Sequence, residues 1–131
     1  MIADTSAWVE FLRGTGTAVH RRLRAEIEAE ADLVVPELVV MELLVGATDD
    51  VMARRLRTML HSFDVVPLAP LVDSEDAAAL QRRCRAAGQT VRSMVDCLIA
   101  ATALRLGRPV LHLDRDFELL AAVSPLELVE V

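Results

Sequence analysis

The chain has 131 residues, 53% of them hydrophobic, enough for one domain over residues 1–131 that buries about two thirds of its unfolded surface without disulfide staples. Its two cysteines, Cys84 and Cys97, lack a CxxC or Cys/His context, which argues against zinc, and no membrane span or signal-peptide pattern occurs, so a cytoplasmic protein is expected. The net charge of −6 at first argues against a nucleic-acid partner, and all fourteen basic residues are arginine.

MIAD reads as a short buried strand ending in Asp4, and TSAWVEFLRG as a helix with Thr/Ser at its start and a glycine stop. A second helix is predicted near residues 17 to 31 and a strand at LVV, 33 to 35. PELVVMELLVGA predicts a helix, with Pro36 in the first turn and Gly46 near the end. A helix over 50 to 62, strand DVVPL, a helix over 73 to 87 and a helix over 93 to 106 follow. Strand PVLHL, a short helix from about 115 to 122 and a last strand, LELVEV, complete the chain. Apolar strands separated by helices predict an α/β protein, a three-layer α/β/α sandwich around a mostly parallel sheet.

In such sheets ligands bind beyond the carboxyl ends of the strands. Asp4 closes the first strand, Asp114 closes PVLHL, and Asp116 follows two residues later in LDRDF. Each could instead cap the helix after it. Glu42, within VVMELLVG, has no cap position to explain it; the alternative is a carboxylate snorkelling to water from the rim of its helix. Asp96 stands among apolar neighbours in SMVDCLIAATAL and has two readings as well. In a capping box Ser93 closes the helix start and the acid reaches back to the serine N–H. As one of a group of functional acids, Asp96 needs a cation, because a charge taken out of water must be compensated.

Carboxylates gathered at one edge raise each other's pKa unless a cation intervenes, and hard oxygen donors in that number suit Mg²⁺ or Mn²⁺. Such metals bind phosphate oxygens, so a phosphodiester is the natural substrate. Two other classes gather acids at sheet ends, receiver domains and haloacid-dehalogenase-like phosphatases. Both commonly depend on a lysine, and this chain has none. No GxxxxGK or GxGxxG loop supports nucleotide binding.

The ordered set of Asp4 with Thr5 and Ser6, Glu42 in MELLVG, Asp96 in TVRSMVDCLIAA, and Asp114 with Asp116 in HLDRDF resembles a PIN-domain nuclease. It is most similar to the VapC-type toxins of bacterial toxin–antitoxin pairs. The resemblance spans nearly the whole chain. It implies an Mg²⁺- or Mn²⁺-dependent endoribonuclease in which Asp4, Glu42, Asp96, Asp114 and Asp116 form the catalytic and metal-binding set. It also implies a homodimer held inactive by a cognate VapB-type antitoxin, in a heterotetramer or larger complex, with an antitoxin segment along the early helices. A PIN-like domain that only binds RNA or a partner is the alternative; its mark would be missing site acids.

Setting those five acids aside changes the net charge from −6 to −1, which leaves arginine available for RNA. Arg92 and Arg115, beside the acids, are the better candidates for phosphate contact, with Thr5 and Ser6 as further substrate contacts. Arg82, Arg83 and Arg85 fit a solvated helix face. His112 reads as a packed strand histidine on the face that carries Asp114. Trp8, Phe11 and Leu12 share one side of the first helix, where core packing explains them at least as well as a partner surface.

Overall fold

Four strands of two or three residues form the centre of the structure, a computed structural model describing residues 1–131. They are β1 (Ile2–Ala3), β2 (Val34–Pro36), β3 (Asp64–Val66) and β4 (Val110–Leu111), all parallel, in the order β3-β2-β1-β4. Helices α1 (Thr5–Arg13) and α2 (Ala18–Glu28) connect β1 to β2, and α3 (Glu37–Val45) and α4 (Asp50–Leu60) connect β2 to β3. The return to β4 runs through α5 (Val72–Ala86) and α6 (Met94–Leu106), and α7 (Arg115–Ala122) follows.

The first three strands step in one direction and the chain then crosses back to the far side of β1. Right-handed crossovers therefore put α1 to α4 on one face and α5 and α6 on the other, giving the three layers expected from the sequence. The reversal falls between β1 and β4, which opens a crevice at their carboxyl ends.

Helix α6 is the innermost of the helices. Ser93 caps its start, Gly107 ends it in the left-handed conformation at φ 62°, and it buries Cys97, Ile99, Ala100, Ala101 and Ala103 together with Asp96 and Thr102. The alanines allow close approach of α5, so the sequence here lacks a clean amphipathic stripe. Trp8 is fully buried, with Phe11 and Phe63 edge-on at centroid distances of 5.8 and 5.3 Å. Phe11 is half-buried and Leu12 is exposed, so the apolar grouping on α1 divides between core and surface.

The structure shortens several predicted elements. α2 stops at Glu28, three residues early, and Pro36 ends β2 and caps α3 rather than lying in its first turn. LELVEV is not a full strand: it forms one parallel bridge, Val110 to Leu128, with Val110 N–H donating to Glu127 O and Val129 N–H to Val110 O, each at 2.9 Å. β4 ends at Leu111, so there is no edge left for a longer pairing. For the same reason His112 and Asp114 lie beyond the strand rather than on one strand face.

One buried charge had no signal in the sequence pattern. Asp73, 0% exposed, accepts from Arg105 Nε at 2.9 Å and Nη2 at 3.0 Å, from Ala69 N–H at 2.9 Å and from Thr102 Oγ1 at 3.2 Å. Burial opposes its ionisation, but the Arg105 and backbone hydrogen bonds outweigh it and hold the carboxyl below its usual range. The pair ties the start of α5 to the end of α6. Replacing Asp73 by Ala is expected to cost about 1–3 kcal/mol, since it leaves Ala69 N–H without its acceptor and removes the Arg105 pair, while the partly exposed guanidinium can turn to water. Urea denaturation measures this; a loss below about 1 kcal/mol would class the pair with exposed ion pairs.

Candidate metal centre

The crevice between β1 and β4 collects all five predicted acids. Asp4, 2% exposed, caps α1: its Oδ1 accepts from Ala7 N–H at 3.2 Å and from the Ser6 hydroxyl at 2.6 Å. Ser6 Oγ in turn accepts from Leu113 N–H at 2.7 Å, so one hydroxyl ties the end of β1 to the segment after β4. The Thr5 hydroxyl donates to Glu42 Oε1 at 2.6 Å, fixing the half-buried glutamate that projects from α3.

Asp114 caps α7 through Oδ1, which accepts from Asp116 N–H at 2.9 Å. Capping and clustering thus coexist. Asp4 and Asp114 each use one oxygen to cap a helix and keep Oδ2 free of any hydrogen bond within the protein. A cap requires only one acceptor, and a carboxylate has two oxygens.

At Asp96 the two readings separate. Ser93 Oγ accepts from Asp96 N–H at 3.3 Å, as in a capping box, but the reciprocal bond is not made. Ser93 N–H donates to Asp116 Oδ2 at 3.2 Å, beside Arg92 N–H at 2.9 Å, so Asp116 takes the place that the box reserves for Asp96. The Asp96 carboxylate is released toward the crevice, where its buried Oδ2 has no hydrogen-bond partner. One oxygen from each of Asp96, Asp114 and Asp116 lies within 4.8 Å of the others.

Burial pushes the Asp96 carboxyl up to about 7, with the charges of Asp114, Asp4, Asp116 and Glu42 adding to it. All five acids therefore share one electrostatic neighbourhood. Burial likewise raises Asp4 to about 6, against the hydrogen bonds from Ser6 and Ala7 and with a contribution from Asp114. No ion pair compensates the group: the arginine pairs of the structure are Arg22–Glu26, Arg24–Glu28, Arg105–Asp73 and Arg108–Asp32. A buried orphan oxygen, hard donors and no protein cation together fit a divalent cation of the Mg²⁺ or Mn²⁺ kind.

The other candidates lie around this cluster. Arg92 and Arg115 are exposed beside it, and Arg92 contributes its backbone N–H to Asp116. Arg82, Arg83 and Arg85 are exposed on α5. His112 Nδ1 accepts from Asp114 N–H at 3.2 Å, and its ring packs against Phe117 at a centroid distance of 5.4 Å. The support that Asp116 gives to Ser93, and Ser6 to Leu113, has no sequence signature, because both bonds join residues more than twenty positions apart.

A parallel α/β sheet with a carboxylate cluster at its switch point is the arrangement of a PIN domain, and the chain belongs to the PIN-domain family, whose profile matches residues 1–123. It is 38% identical to Ribonuclease VapC11 of Mycobacterium tuberculosis over 128 residues, 97% of this chain and 96% of that protein. A VapC ribonuclease of Mycobacterium bovis matches with the same identity and coverage. The fold is shared with VapBC2 from Rickettsia felis, solved bound to a promoter DNA fragment, at TM-score 0.74 and 13% identity over 98% of this chain and 96% of that one. It is also shared with VapC20 of Mycobacterium tuberculosis, a sarcin–ricin loop cleaving toxin, at TM-score 0.69 and 20% identity over 99% and 97% of the two chains.

The raised carboxyls make a stability prediction. Between the unfolded value of 3.8 and the folded value of about 7, the native metal-free protein holds more protons at Asp96 than the unfolded chain does. Stability therefore falls as pH rises through that window, and the penalty is complete above it. Asp96→Asn removes the penalty, so in chelator the variant should melt no lower than the parent at pH 8, with its advantage shrinking toward pH 5. A variant clearly less stable at pH 8 would make Asp96 a structural partner instead.

Proposed function

We propose that this chain is an Mg²⁺- or Mn²⁺-dependent endoribonuclease, the toxin of a toxin–antitoxin pair, held inactive by its cognate antitoxin. The observation that carries the reading is the buried, partnerless Oδ2 of Asp96 among four further carboxylates with no arginine paired to any of them. A domain that only bound a partner would gain nothing from that arrangement, which costs stability. That the VapC relatives are ribonucleases supports the choice of RNA.

In this reading Asp4, Asp96, Asp114 and Asp116, with Glu42, hold the cation. When bound, such an ion supplies positive charge at the phosphodiester and makes water a better nucleophile near neutral pH. The protein's own groups orient the site. Ser6 and Ala7 N–H fix Asp4, Thr5 fixes Glu42, and Ser93 starts the helix that delivers Asp96. The donating protons of the Thr5 and Ser6 hydroxyls are thus committed to carboxylates, and we assign both residues to positioning the acids. Arg92 and Arg115, exposed and free of ion pairs, remain to engage the phosphates flanking the cleaved bond. A homodimer that joins its antitoxin in a heterotetramer or larger assembly, acting in the cytoplasm, completes the proposal.

RNA cleavage by the purified chain should vanish in excess chelator and return with Mg²⁺ or Mn²⁺. Asp96→Asn should reduce it to background. Ser93→Ala should lose about 0.5–2 kcal/mol of stability while retaining most of the cleavage. Undiminished cleavage in chelator would overturn the mechanism.

A further inference from the structure

We propose that a groove beside the acid cluster is a subsite for one unpaired nucleobase, that of a nucleotide adjoining the bond to be cleaved; the inference rests on the ribonuclease reading. The groove, roughly 390 Å³ and open to solvent, lies between the start of α2, the segment after β4, the first turn of α7 and residues 128, 129 and 131. That volume is in the range of about 300–1,000 Å³ typical of small-ligand sites. Asp114 lines the groove and also belongs to the acid cluster. A nucleotide whose phosphate lies at the acids therefore brings its own base to the groove.

The lining selects the occupant. Leu113, Leu128 and Val129, above the buried Val19, provide apolar walls for the faces of a flat ring. The charged side chains are Arg115, Asp114 and Glu118, two carboxylates against one guanidinium. That balance disfavours a phosphate or an acidic peptide inside the groove and suits a neutral group with a hydrogen-bonding edge. The edge has partners on the protein. Because His112 Nδ1 accepts from Asp114 N–H, the ring's Nε2 carries the hydrogen and is its remaining donor. Glu118 accepts from an exocyclic amine, while Arg115 serves the adjoining phosphate. Recognition of unpaired bases through stacking and edge contacts is how proteins select single-stranded RNA.

The probe is a short single-stranded RNA of randomised sequence, compared with the same RNA carrying one abasic ribose at a fixed central position. Both are digested by the full chain in Mn²⁺ and the cut bonds are mapped by sequencing. Cutting at one of the two bonds adjoining the abasic residue is expected to fall about tenfold relative to the same bond in intact RNA. Val129→Phe fills the groove, and Leu113→Ala removes a wall at an exposed position where folding is not at stake. Each should slow cleavage of the intact RNA and shrink the abasic discrimination. A parent indifferent to the abasic residue at both bonds overturns the proposal. So does a variant, shown folded by its melting curve, that keeps full discrimination, as it would if the groove seated a protein segment instead. A parent that cuts neither RNA overturns the ribonuclease reading itself and the subsite with it.

Discussion

Mutual repulsion among five carboxylates is the constraint that organises this structure. Placed together without a cation, they oppose one another and oppose folding, and burial of Asp4 and Asp96 increases the cost. The fold holds them with local donors. Ala7 N–H and the Ser6 hydroxyl serve Asp4, the Thr5 hydroxyl serves Glu42, and the N–H groups of Arg92, Ser93 and Asp116 serve Asp116 and Asp114. Hydrogen bonds to charged acceptors are stronger than neutral ones, so this set can keep the acids in place. Asp96 is the exception: one of its oxygens is buried with nothing to bind. Functional sites commonly trade stability in this way.

The topology makes the gathering possible. Parallel strands with short connections bring every strand end to the same edge, but only the reversal of direction between β1 and β4 leaves a gap there that helices do not fill. Asp4 and Asp114 stand on either side of that gap. Glu42 arrives from α3 and Asp96 from α6, which belong to opposite helical layers. The site is thus assembled from both halves of the sandwich, and Ser6, by accepting from Leu113, links the two strands that frame it.

The segment after β4 has more than one part in this arrangement. His112 and Leu113 make backbone or ring contacts that hold Asp114 and Ser6, and the same residues line the neighbouring groove. A short strand is what allows this. Had β4 continued through PVLHL, His112 and Leu113 would be locked into a ladder; because pairing stops at Leu111, Leu113 N–H is free to reach Ser6 and the His112 ring to reach Asp114 N–H.

Much of the fold was legible in the chain itself. The alternation of apolar strands and capped helices defined the α/β class, and the acids could be picked out because Asp and Glu are costly in apolar surroundings and therefore conspicuous there. The terminal run LELVEV misled, because β propensity describes a fit to a half-buried surface and does not provide a partner strand. Local pattern left two readings of Asp96 open, a capping box with Ser93 and a functional acid, since both ends of that box lie within one turn. Tertiary structure decided between them by supplying a competitor for the Ser93 N–H, Asp116, from more than twenty residues away. The sequence by itself determined the seven helices, the four central strands and which acids are available, because periodicity, caps and the cost of burying charge are local properties. Strand order, the ion pair of Asp73 with Arg105, and the oxygen of Asp96 left without a partner were decided only when distant segments met, because each depends on contacts that no local pattern encodes.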